Sequence, residues 1–162
     1  MKLTSERLRE IIQDEIKSIR ESVETLITEG TTSTVAIEDK KGKVHGTYIH
    51  SDGYTNGVGA ILKKNFMKAD KVSDLLDLGQ YGISSLGQSI EGGEDHSFAK
   101  PKKGETVFYG RDRGEAGDMT SDFKDRDAFL SAHTEEFAYL YSTKDKKWYY
   151  NEANKGSEWK EL

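Results

Sequence analysis

Tyr48, His50, Asp52 and Tyr54 recur at every second position, with Gly53, Gly57 and Gly59 among and after them. Alternation along a strand places Tyr48 and His50 on one side, and Asp52 and Tyr54 fall in the turn beyond. The glycines admit close backbone approach, and a helix starting near Val58 would aim free amides at a phosphate or carboxylate. An imidazole beside a carboxylate is also material for acid–base catalysis or metal ligation. His45, His96 and His133 show no recognised metal spacing, and no serine elbow or telling carboxylate pair accompanies them. Neither the Walker A pattern nor a strand-borne Gly-x-Gly-x-x-Gly fingerprint is present. The expectation is a binding role with no metal and no cofactor.

Tyr109-Gly110-Arg111-Asp112-Arg113-Gly114-Glu115 is the second chemical cluster. Arginine carries a planar fork of donors suited to phosphate or carboxylate, so Arg111 and Arg113 can clamp an anion. Equally, Asp112 and Glu115 can neutralise them in an ion-pair network that fixes a loop. Tyr54, Tyr81, Phe108 and Tyr109 supply aromatic faces on which a base can stack, although core packing is their more frequent use.

Charge points to the same regions. The 162 residues hold 24 basic and 29 acidic groups, net −5, yet residues 40–71 hold seven basic against two acidic groups. An acidic protein with a local basic region that includes Lys63 suits a small anionic ligand, whereas long nucleic acid demands a broad basic face. The alternative is that Lys40, Lys41, Lys43, Lys63, Lys64 and Lys68 only solubilise turns and helix faces.

The elements that must hold these residues begin with a helix over the first thirty. Leu8, Ile12, Ile16, Ile19, Val23 and Leu26 recur at spacings of four and three, widened by Ile11 and Ile27. Thr4 or Ser5 can cap its start and Gly30 can end it. Its stripe can pack on the rest of the chain or pair with its own copy, making a homo-oligomer through residues 1–30. Strands follow at 34–38 and 44–50 around an Asp39–Gly42 turn, then short helices at 58–66 and, capped by Asp70, 71–78. An irregular stretch at 87–104, a strand at 106–109, a helix beginning at Ser121 or Asp122, and a hairpin of 137–141 with 147–151 complete the chain. This order without βαβ alternation predicts an α+β domain over 31–162 with a mainly antiparallel sheet.

Composition agrees with a folded chain: sixteen glycines, one proline and 10% aromatic residues. Zero cysteines exclude disulfides and thiolate chemistry. No long apolar run or signal-peptide pattern appears, so a cytoplasmic protein without membrane association is expected.

Several of these segments together resemble a group of small proteins of bacteriophages and mobile elements. The resemblance is carried by Ser33–Glu38, by Tyr48-x-His50-x-Asp52-Gly53-Tyr54 with Val58-Gly59, by Lys71–Gly79, by Ser84-Ser85-Leu86-Gly87, and by Tyr109–Glu115. The opening Met1–Ile12 also looks like the start of many small proteins of large tailed phages. The resemblance implies a phage accessory protein in the infected bacterial cytoplasm and transfers no catalytic residues.

The leading functional expectation is a non-enzymatic protein that binds an anionic, nucleotide-like small molecule, such as a host immune signal that it sequesters. Its ligand-binding residues would be Tyr48, His50, Asp52, Tyr54, Lys63, Tyr109, Arg111 and Arg113. A protein that binds and modulates a host enzyme is one alternative, and a nucleotide-processing enzyme using His50, Asp52, Arg111 and Arg113 is another.

Overall fold

A computed structural model describes residues 4–29, 31–153, 155–156 and 158–162, without the side chains of 22–29. The expected stop at Gly30 and the stripe side chains Val23, Leu26 and Ile27 lie outside the described residues. Helix α1, Ser5–Glu29, starts where the sequence places it, with the Arg7 amide donating to Thr4 Oγ1 at 3.2 Å. Its residues are solvent-exposed from Ser5 to Glu21, so no intramolecular packing covers the stripe over that span.

The alternating runs form strands β1, Ser33–Glu38, and β2, Val44–Ile49. They pair antiparallel around a turn in which Gly42 takes φ +87°, a left-handed conformation that glycine adopts without cost. A π-helical turn at Thr55–Gly59 leads into α2, Ala60–Asn65, and α3, Ala69–Leu78. Asp70 sits inside the first turn of α3, and Lys68 takes the cap position without a side-chain bond. Strands β3, Ile83–Ser85, and β4, Val107–Phe108, flank the irregular 87–104 segment, and the single-turn α4 spans Tyr109–Arg113.

The expected helix at Ser121 begins later. Residues Thr120–Phe123 form β5, pairing antiparallel with Val44–Thr47, and Asp125 caps α5, Arg126–Ala132, by accepting the Ala128 amide at 2.8 Å. The chain ends in β6, Phe137–Ser142, β7, Lys147–Glu152, and the two-residue β8, Lys160–Glu161.

Together these make one α+β unit around an eight-stranded sheet in the order β4-β3-β2-β1-β6-β7-β8, with β5 alongside β2. Pairing is antiparallel except for β1 with β6 and β2 with β3. The parallel β1–β6 pair joins the two hairpins at the centre of the sheet. One sheet face carries Val35, Ile49 and Tyr139 against Leu62, Val72, Leu75 and Leu76 of α2 and α3. The other carries Ala36, Ala138 and Leu140 against Phe129 of α5. Each large side chain so enclosed contributes roughly 1.5–3 kcal/mol. Among the described residues no helix is long and apolar enough to cross a membrane.

Candidate ligand-binding site

Strand alternation places Tyr48 and His50 together as the sequence indicates. The Tyr48 hydroxyl and His50 Nδ1 lie 2.9 Å apart, and Ile49 between them is fully buried on the opposite face. Burial raises the Tyr48 phenol above its ordinary range, and Tyr109 and Glu135 add to the shift. The hydroxyl therefore remains protonated at neutral pH.

In the turn beyond, the amides of Gly57, Val58 and Gly59 are used within the chain. The Val58 amide donates to the Asp52 carbonyl at 2.8 Å, and the Gly57 and Gly59 amides donate to the Tyr54 carbonyl at 2.9 and 3.4 Å. The glycines serve the chain itself: a Cβ on Gly53 would stand 2.8 Å from the Thr32 carbonyl oxygen, and one on Gly57 would meet the Asp52 carbonyl. Asp52 is exposed at φ +56°, and Tyr54 packs against the core. The amides around Val58 that the sequence offers to an anion thus bond the turn's own carbonyls.

Arg111 and Arg113 stand on α4, which starts where β4 ends. The register Ile49–Ile83–Phe108 across β2, β3 and β4 separates the two loops by two strand spacings, about 10 Å. They are near enough for one pocket, but the arginines are already engaged. Arg111 bonds Asp112 Oδ1 at 2.9 Å and Oδ2 at 3.1 Å, donates to the carbonyls of Thr106 and Ile90, and stacks over Phe108. Arg113 pairs with Glu115 at 3.1 Å and covers Phe98.

Asp112 is the centre of this network. It also accepts the Phe108 amide at 2.8 Å and His96 Nε2 at 3.2 Å. The Lys102 amide donates to His96 Nδ1 at 3.0 Å, which assigns the ring proton to Nε2. Burial alone would raise the Asp112 carboxyl; hydrogen bonds from Arg111 and the Phe108 amide, with the Arg111 charge, outweigh it and hold the carboxyl below the ordinary aspartate range. The Tyr109–Glu115 cluster thereby pins the glycine-rich 87–104 segment to the sheet.

Lys63 lies elsewhere. From α2 it lines a groove of about 310 Å³ together with Lys146 and Lys147 at the β6–β7 turn and with Met67, Trp148, Glu161 and Leu162. The groove is built firmly: Trp148 Nε1 donates to the Phe66 carbonyl at 2.7 Å, and the Tyr141 hydroxyl donates to that of Met67 at 3.0 Å. Lys147 pairs with Glu161 at 3.2 Å, whereas Lys63 and Lys146 have no ion-pair partner among the described residues. Lys146 takes φ +55°, a turn position at which glycine or asparagine is the unstrained choice. Lys146, Lys147, Met67 and Trp148 are not among the residues that the sequence singles out for binding. The one signal available was a lysine where a hairpin turn asks for glycine.

A second cleft of about 320 Å³ lies on the α5 side, lined by Thr34, Tyr48, Met119, His133 and the carboxylates Asp118 and Glu135. Thr34 Oγ1 donates to Glu135 at 3.0 Å and Thr120 holds Asp118, whose carboxyl is lowered by those bonds. No lysine or arginine lines it, so it is unsuited to an anion. Of the eight predicted residues, Tyr48, His50 and Tyr109 gather at the β2–β4 end of the sheet, Arg111 is held in the Asp112 network, and Arg113 pairs with Glu115 at the surface. Lys63 belongs with β7, three strand spacings or about 14 Å from β2. Comparison with protein-family models, with curated proteins and with solved structures gives no match.

Proposed function

We propose that the protein is a non-enzymatic binding protein for a small anion with an apolar or aromatic body, nucleotide-like in class, held between α2 and the β6–β7 turn. The observation that supports this reading is that Lys63 and Lys146, without an ion-pair partner among the described residues, line one groove with Met67, Trp148 and Leu162, where the Glu161 carboxylate is paired with Lys147. Each lysine supplies a point charge with three donors, and the apolar side chains shield the ligand body from water. A groove of about 310 Å³ is at the lower end of small-molecule sites, which fits one aromatic body with one anionic group. In the phage setting that the resemblance implies, such a binder lowers the free concentration of a host signalling nucleotide.

Isothermal titration against nucleoside monophosphates, cyclic dinucleotides and ADP-ribose tests this. Binding by at least one, weakened tenfold or more in Lys63→Ala/Lys146→Ala and further by added salt, is the expected result. Silence across the panel from folded protein, or binding that the double substitution leaves intact, would overturn it.

A further inference from the structure

Leu8, Ile11, Ile12, Ile16 and Ile19 on α1 are between 38% and 62% exposed, and every residue from Ser5 to Glu21 is open to solvent. A helix that shows five large aliphatic side chains on one face is unfavourable in water, and β-branched isoleucine is not a strong helix former alone. Helices of this kind gain their stability from what covers the apolar face. We infer that the cover is the same face of further copies of this chain, in a parallel, in-register bundle of α1 helices.

The charges beside the stripe select that occupant and that direction. Leu8, Ile12, Ile16 and Ile19 follow spacings of four, four and three, which keeps them on one seam for more than three turns. At 100° per residue Glu15 borders one side of the seam, and Arg9 and Arg20 border the other. Parallel, in-register helices bring the Glu15 side of one copy against the Arg20 side of the next, five residues along, the spacing of an attractive interhelical pair. An antiparallel arrangement sets arginine flank on arginine flank and glutamate flank on glutamate flank. A bundle also multiplies the number of folded domains carried per assembly.

The full chain contains no cysteine, so a single Ser5→Cys substitution reports direction directly. Sedimentation equilibrium of the unmodified chain is expected to give a mass at a multiple of 18.2 kDa. Ile12→Asp/Ile19→Asp should reduce it to one chain while leaving the domain's unfolding midpoint unchanged. Mild oxidation of the Ser5→Cys protein should yield a covalent dimer in high proportion. A single-chain mass at all concentrations up to about 100 µM, or a multimer whose Ser5→Cys form fails to cross-link, overturns the inference. A multimer that survives Ile12→Asp/Ile19→Asp overturns it equally, because its contact is then elsewhere.

Discussion

Replacing Lys146 by glycine separates what the turn wants from what the groove uses. At φ +55° a side chain with a Cβ costs roughly 1–2 kcal/mol relative to glycine. Glycine returns part of that gain, because its unfolded chain is freer by about 0.5–1 kcal/mol. The Lys146 amide bond to the Ser142 carbonyl, 2.8 Å, is kept by either residue. Lys146→Gly is therefore expected to stabilise the protein by roughly 0.5–1 kcal/mol, about 2–4 °C per kcal/mol in Tm for a domain of this size. Lys146→Ala removes the same charge but retains the left-handed Cβ, so its stability should match the parent within about 0.5 kcal/mol. Urea unfolding of the three proteins, with an unchanged slope and a higher midpoint for glycine alone, measures the difference. Equal midpoints for glycine and alanine would refute the strain argument. Equal loss of anion binding in both variants is the companion expectation, since both lack the ammonium group.

Two other perturbations test the framework that holds the loops. Asp112→Asn leaves Arg111 beside a neutral amide and, with Arg111 about a quarter exposed, should cost about 2–3 kcal/mol, less than breaking a fully buried pair. The Asp112 carboxyl is lowered in the folded state, so its contribution is full above the unfolded aspartate value, about pH 4, and is lost as pH falls through the folded value. The parent should lose stability on that acid limb more steeply than Asp112→Asn, as followed by unfolding midpoints from pH 6 to pH 2. Tyr139→Phe removes the 2.7 Å bond from a buried hydroxyl to the Gly53 carbonyl. It should cost about 1–3 kcal/mol, the penalty of an unpaired buried acceptor, and protease cleavage near Gly53 should accelerate.

Period-two alternation made β1, β2, β6 and β7 legible, because in each hairpin one residue's choice of face dictates the next. The α1 stripe and the Thr4 cap were legible for the same local reason. Residues 120–123 were not: Ser121 and Asp122 carry helix-capping chemistry, but β2 offers a free edge at Val44–Thr47, and tertiary pairing overrides local preference. The Arg111–Arg113 cluster shows a deeper limit. Its residue types suit either an anion clamp or an ion-pair network, and sequence does not show that the Thr106 and Ile90 carbonyls lie within reach of Arg111.

The basic groove was hidden for a topological reason. Lys63 and Lys146 are distant in sequence, and the parallel register of β1 with β6 brings the β6–β7 turn beside the helix that follows β2. Antiparallel hairpins are read from neighbours in the chain; a parallel pair between hairpins has no local signature, since its connection is long. The positive balance of residues 40–71 includes Lys63, whereas Lys146 of the proposed groove lies far outside that segment. Lys146 is distinguished by its backbone conformation, a lysine at a left-handed turn position. Charge without geometry names a region, and a strained backbone without charge names a turn. Their meeting at one groove is what makes Lys146 the most informative residue to change.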